Sequence, residues 1–203
     1  MSTPEAKPVS RSAAQTRAHV LEVAGDLFYW NGIRATGVDL VAAKAGVAPT
    51  TLYRLFPSKD DLVAAYVERA DADTRQRLTA AVAAAGPHPR EQILALFDNM
   101  YQQIDSGQFR GCAMMMTLAE FPDSELTAHR NAVAGKVWFR DLIGELTERL
   151  GVDDSAALAN QLVLVAEGLL ASGQSLGPGG PAKHARRLAE TILSTAARGS
   201  HAS

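Results

Sequence analysis

Residues 36–59 read TGVDLVAAKAGVAPTTLYRLFPSK. Thr36 followed three residues later by Asp39 has the pattern of a hydroxyl cap with an acidic partner near the positive end of a helix. Val38, Val41, Ala42 and Ala45 then repeat at i, i+3, i+4 and i+7, which is one buried face, and Gly46 supplies the permissive backbone that ends the helix. Pro49 suits the first turn of a second helix, where its missing N–H would have no partner anyway. Leu52 and Phe56 give that helix one narrow apolar edge, leaving Thr50, Thr51, Tyr53 and Arg54 to face outward. Hydroxyls and a guanidinium suit phosphates and base edges. Pro57 stops the helix, and Ser58 with Asp61 caps a third that begins at Lys59. A lysine at the positive end of a helix is unfavourable unless an anion, such as a DNA phosphate, sits there.

The longer stretch 32–62, GIRATGVDLVAAKAGVAPTTLYRLFPSKDDL, closely resembles the DNA-binding signature of TetR-family transcriptional regulators. The similarity lies in the G-x-x-A-T opening, the A-G-V turn, the T-L-Y of the recognition helix and the closing F-P-S-K. Two positions depart from the pattern: Leu55 replaces a histidine that often reaches phosphate, and Leu40 replaces a usual polar residue. The resemblance covers about the first third of the chain and implies an all-α protein working as a homodimer.

Composition agrees with a folded, reducing-compartment protein. The chain has 203 residues, 47% of them apolar, and a net charge of −2. That charge argues against a protein that coats nucleic acid broadly, but the distribution is uneven. The first 60 residues carry seven Lys/Arg against five Asp/Glu, whereas the remainder is net acidic. One cysteine excludes an intrachain disulfide framework and a multi-cysteine zinc site. No apolar run of about 18 residues and no signal-peptide pattern is present, so a cytoplasmic location is expected.

The expected organisation is a flexible arm over 1–11, a helix-turn-helix DNA-binding domain over 12–58, a connecting helix over 59–85 and an effector-binding and dimerisation domain over 86–203. Lys7 and Arg11 in the arm read either as a solvated tail or as a minor-groove reach. In the first helix, Ser12 to Gly32, the apolar residues Val20, Leu21, Ala24, Leu27 and Phe28 share a face. The connecting helix carries Asp71 before Arg75 and Asp73 before Arg77, i, i+4 supports of about 0.2–0.5 kcal/mol each. Further helices are expected over 90–105, 111–121, 124–150 (with Val133, Val137, Ile143, Leu146 and Leu150 inward), 154–175 and 182–197. The helix over 154–175 is apolar on two sides. One side, with Leu158, Leu162, Val165 and Leu169, is assigned to a dimer contact with the last helix, aided by small residues at Ala166, Gly168, Ala171 and Gly173.

Catalysis finds no motif. The five histidines are scattered, and no H-E-x-x-H, G-x-S-x-G or glycine-rich phosphate loop occurs. Glu125 and His129 form an isolated i, i+4 pair. No enzyme activity, cofactor or metal site is expected. Phe97, Met100, Tyr101, Cys112, Met115, Met116, Phe121 and Trp138 are read as an adaptable apolar effector site, since methionines and aromatics line such pockets, although they also fill ordinary cores. Cys112 keeps three readings: a buried thiol, a redox switch helped by Arg110, or a soft-metal ligand with the methionines. Glu120, Glu167, Gln161 and Gln174 are further polar candidates for holding an effector.

The combined reading is a ligand-responsive transcriptional repressor that binds a near-palindromic operator as a homodimer and is released by a small, largely apolar effector. Thr50, Thr51 and Arg54 are assigned to base edges, Tyr53 and Lys59 to phosphates, and Thr36 to the DNA backbone. The alternatives are an activator or corepressor-type regulator, a helical small-molecule-binding protein, or a regulator sensing redox state through Cys112.

Overall fold

The computed structural model describes residues 12–199, so the arm expected over 1–11 lies outside the described residues. Among the described residues the regular structure is helical: α1 (Ala13–Asn31), α2 (Val38–Ala45), α3 (Pro49–Leu55), α4 (Lys59–Ala84), α5 (Pro89–Asp105), α6 (Ala113–Glu120), α7 (Thr127–Glu148), α8 (Ser155–Leu176), a 3₁₀ turn (Pro181–His184) and α9 (Ala185–Gly199). The chain divides into two compact units at Tyr66–Val67, within α4.

In the first unit, α1 begins at a reciprocal cap. The Gln15 N–H donates to Ser12 Oγ at 3.2 Å, and the Ser12 N–H donates to Gln15 Oε1 at 2.8 Å. Val20, Leu21, Ala24 and Phe28 of α1 are buried, as are Val41, Ala42 and Ala45 of α2, Leu52 of α3, Phe56, Leu62 and Val63. Phe28 meets Tyr66 edge to face at 5.5 Å between ring centres, and the Arg17 guanidinium lies 4.7 Å above the Phe56 ring. Between α2 and α3, Gly46 takes a left-handed conformation with φ +66°, and the Val47 N–H donates to the Ala42 carbonyl at 3.0 Å. A side chain at Gly46 would strain this turn, which sets the angle at which α3 leaves α2.

The expected cap at Thr36 does not form. Gly37 is the N-cap of α2, without a side-chain hydrogen bond. Thr36 is only 1% exposed, and its Oγ1 donates to the Gly32 carbonyl at 2.8 Å, closing the turn that follows α1. A hydroxyl buried at that turn must find an acceptor, and the nearest is behind it in sequence rather than ahead.

The second unit has its core between α5, α7, α8 and α9. Ile93, Leu94, Leu96, Phe97, Met100 and Ile104 of α5 cluster with Ile143 and Leu146 of α7, Leu158, Leu162, Ala166 and Leu169 of α8, and Ala185, Ala189 and Leu193 of α9. Two glycines allow close approaches. A Cβ at Gly173 would fall 2.5 Å from Ile104 Cδ1, and one at Gly135 would fall 2.8 Å from Asp71 Oδ1 and 3.4 Å from Met114 Cγ. Polar ties fix the periphery: Arg149 donates to Gln92 Oε1 at 2.8 Å and to the Pro87 carbonyl at 3.0 Å, and Lys136 Nζ lies 2.8 Å from Glu167 Oε1.

Three expectations for this unit are corrected. Leu158, Leu162 and Leu169 face the subunit's own core, and Val165 packs partly against it, so this stripe is not an open dimer face. Ala166 and Gly173 lie on the same inward side, whereas Leu164 is 72% exposed and shares the outward side with Gly168 and Ala171. In α7 the inward stripe runs through Ala128, Ala132, Gly135, Ile143 and Leu146, leaving Val133 and Val137 exposed, because the close approach at Gly135 fixes the rotation of the helix. Asp73 pairs loosely with Arg69 at 3.9 Å instead of with Arg77, whose guanidinium turns to Asn99 Oδ1.

Candidate functional site

The outward side of α3 follows from how the helix is anchored. Leu52 is 1% exposed and anchors the helix, and the helix periodicity then turns Thr50, Tyr53 and Arg54 away from the core. All three are exposed, and Thr51 is half-buried at the edge. The structure therefore brings two hydroxyls, a phenol and a guanidinium onto one seven-residue helix whose end is held by Phe56. Such a face offers donors and acceptors to a groove and a cation to a phosphate.

Lys59 lies at the start of α4, where the Ser58 hydroxyl receives the Asp61 N–H at 3.1 Å. Its ammonium reaches back to the Arg34 carbonyl at 3.3 Å, so the charge stands beside the loop after α1. Thr36, assigned to the DNA backbone, is withdrawn from the surface and holds a turn instead. Two residues outside the expected set join the exposed surface of this unit: Leu40 on α2, at 42%, and Trp30 near the end of α1, at 46%. An apolar residue on an otherwise polar outer face is a signal that periodicity alone discards as noise; a leucine there makes contact with a thymine methyl group a physical option.

The expected effector residues separate into three environments. Phe97 and Met100 are ordinary core, and Tyr101 and Trp138 pack against its margin, the Tyr101 hydroxyl donating to the Pro178 carbonyl at 3.2 Å. Phe121 is buried at the end of α6. Met115 is 39% exposed, and the inward methionine of α6 is Met114, 5% exposed, facing Gly135 of α7. Cys112, a free thiol, is the N-cap of α6 and is half-buried, as is Met116.

The polar candidates are accounted for in part. Glu167 is paired with Lys136, and His129 Nδ1 meets the Phe121 carbonyl at 2.7 Å rather than Glu125. Gln174 packs against the backbone of Gly111, where an added Cβ would lie 2.7 Å from Gln174 Oε1. Gln161 lines a cleft of about 450 Å³ with Asp153, Asp154, Ala157, Thr191 and Ile192, away from the expected effector residues. Among the described residues no group of three His, Cys, Asp or Glu side chains is placed to hold a metal ion.

Arg75 and Arg77 of α4 point into different surroundings. Arg75 is bonded to Asp71 at 2.7 Å and lies 4.9 Å over the Trp138 ring. Arg77 meets the neutral Asn99 amide, and burial lowers its pKa from the ordinary guanidinium value, an effect that outweighs an electrostatic interaction with Cys112 in the opposite direction.

Comparison with known proteins agrees with this arrangement. Residues 20–66 match the sequence model described as "Bacterial regulatory proteins, tetR family". Across almost its whole length the chain is similar to a crystallised TetR-family transcriptional regulator from Streptomyces coelicolor: 34% identity, TM-score 0.85, covering 90% of this chain and 96% of that one. The HTH-type transcriptional regulator YjdC of Escherichia coli (strain K12) is 28% identical over 181 residues, 87% of this chain and 93% of the relative. The HTH-type transcriptional activator FasR of Mycolicibacterium smegmatis is 31% identical over 139 residues, 57% of this chain and 64% of the relative. With an exposed polar helix face on one unit, an all-helical second unit and a near full-length match, the chain belongs to the TetR family: it is a DNA-binding transcriptional regulator and not an enzyme.

Proposed function

We propose that this regulator is a homodimeric repressor that binds a near-palindromic operator and is released by a small effector carried in the second unit. The observation that carries the DNA half of this reading is the exposure of Thr50, Tyr53 and Arg54 on a helix whose Leu52 is buried. Thr50, Thr51 and Arg54 contact base edges, and Tyr53 and Lys59 contact phosphates. Two copies related by a two-fold axis set their α3 helices into successive major grooves about 34–36 Å apart, which gives the operator its symmetry. Such a protein works in the cytoplasm, where the DNA is.

The dimer contact is assigned to the outward side of α8 together with α9. Leu164 at 72%, Leu176 at 65% and Leu188 at 50% are exposed there, and no Cβ neighbour would crowd a side chain at Gly168. α8 is also the one described helix long and apolar enough to cross a membrane, with a third of its apolar window buried. An apolar helix with an uncovered side calls for a partner surface, and a second copy supplies one by symmetry.

Effector binding works by population shift: the ligand binds better to a form in which the paired α3 helices no longer stand one helical repeat apart. The residues proposed to meet the effector are Tyr101, Trp138, Met116 and Cys112, with Met114 added and Met115 left to the surface. The activator reading keeps support from the name given to the M. smegmatis relative. Selection of bound duplexes from a random pool, followed by transcription from a promoter overlapping the selected site, tests both. Recovery of an inverted repeat and loss of transcript support the repressor; no enriched duplex at low ionic strength overturns DNA reading by α3, and a gain of transcript makes the protein an activator.

A further inference from the structure

We infer that the second unit contains an anion-binding position built on Arg77 and Asn99, and that the effector is a small apolar molecule bearing a carboxylate. This rests on the effector reading above and specifies its chemistry. The other arginines of this unit with assigned ion pairs each have a carboxylate: Arg75 has Asp71 at 2.7 Å, Arg69 has Asp73 at 3.9 Å, and Arg186 has Asp98 at 2.9 Å. Arg77 is different. Asp73, one helical turn before it, is turned to Arg69, and the guanidinium of Arg77 donates to the amide oxygen of Asn99. Its other electrostatic neighbour is Cys112.

A half-buried guanidinium cannot shed its proton, so its desolvation cost persists until an anion arrives. One of its donors is used by Asn99, and the remaining fork matches the two oxygens of a carboxylate. Cys112 is also the N-cap of α6 and makes no side-chain capping bond, so the positive end of that eight-residue helix adds to the potential near Arg77. Met100, next to Asn99 on α5, and Met114, two residues after Cys112 on α6, are the apolar residues closest to these groups in sequence, and methionine suits a hydrocarbon body rather than a polar one. A monoanion on an apolar stem satisfies both sides.

The test uses the full-length protein, with octanoate as the charged probe and octanamide as its neutral counterpart, and with acetate and benzoate as shorter and aromatic carboxylates. Arg77→Met is expected to melt at or above the temperature of the parent protein in the absence of carboxylate, because it removes a charge without an ionic partner. Calorimetric titration is expected to show octanoate binding the parent about ten- to a hundredfold more tightly than octanamide, a preference lost in Arg77→Met and reduced about tenfold in Arg77→Lys. Cys112→Ser is expected to keep it. A melting temperature several degrees lower in both Arg77 variants makes the guanidinium a structural prop and overturns the inference. So does the failure of every carboxylate to bind the parent, or loss of the preference in Cys112→Ser.

Operator release, followed by fluorescence anisotropy of a labelled duplex, is read separately. Octanoate that binds through Arg77 without releasing the operator leaves the anion position standing and refutes the effector reading. Equal release by octanoate and octanamide, in parent and variant alike, does the reverse.

Discussion

Thr36, Arg54 and Lys59 lie within 24 residues of one another and are assigned three different duties. Arg54 is exposed on α3, and Arg54→Ala is expected to cost about 1–3 kcal/mol of binding at the base it reads and to relax preference at that position alone. A competition assay with operators altered one base pair at a time measures this. With Lys59 proposed to contact a phosphate, Lys59→Ala is expected to weaken binding to every duplex and to lower the slope of log affinity against log salt by about one. The same titration across salt concentrations separates the two variants. Thr36→Val removes a buried hydroxyl that donates to the Gly32 carbonyl; it is expected to cost about 1 kcal/mol of stability in urea unfolding and to leave the salt slope unchanged. A changed slope would return Thr36 to the DNA surface. The α2–α3 turn at Gly46 and the outward residues of α3 were legible from spacing. The inward turn of the Thr36 hydroxyl was not, because a threonine before a helix reads as a cap unless the preceding chain folds back to present an acceptor.

At the scale of the element, α8 carries the clearest contrast, between two glycines five residues apart. Gly173 faces Ile104, and Gly173→Ala forces a Cβ to within 2.5 Å of Ile104 Cδ1; overpacking of this kind costs about 1–3 kcal/mol. Gly168 faces open space within the subunit, so Gly168→Ala gains helix propensity of about 1 kcal/mol and adds a methyl group to the face assigned to the dimer. Thermal unfolding at low protein concentration is expected to move in opposite directions for the two. The sequence showed that α8 is apolar on two sides, but which side belongs to the subunit depends on where α5 and α9 pack. The stripe of Leu158, Leu162 and Leu169 is the one taken into the core formed with α5, α7 and α9. In α7 the same reasoning applies at Gly135, whose lack of a side chain, rather than the valines at 133 and 137, marks the face turned inward.

For the whole molecule, the proposed function rests on a dimer. Leu164→Glu places a charge on the exposed side of α8 without entering the core, and is expected to give a folded monomer by light scattering with near-native helical content and a large loss of operator affinity. An unchanged dimer would move the contact to another surface. The division at Tyr66–Val67 lies inside a continuous helix, α4. The sequence, read by helix punctuation alone, sets its boundary at the turn before Lys59. The two differ because Leu62, Val63 and Tyr66 on the first turns of α4 are buried with the first unit's residues, so the helix belongs to that unit for two turns before it belongs to the other.

Helix number, the glycine turn, the all-α class and the family were fixed by local pattern: periodicity, caps and a dense motif depend on residues a few positions apart. Whether Thr36 faces DNA, which stripe of α8 is free, which methionine of α6 turns inward and that Arg77 is left without a carboxylate were decided by tertiary packing. Each depends on what a distant segment brings to the same place, and the energy that selects among helix faces is the burial of surfaces supplied by other helices.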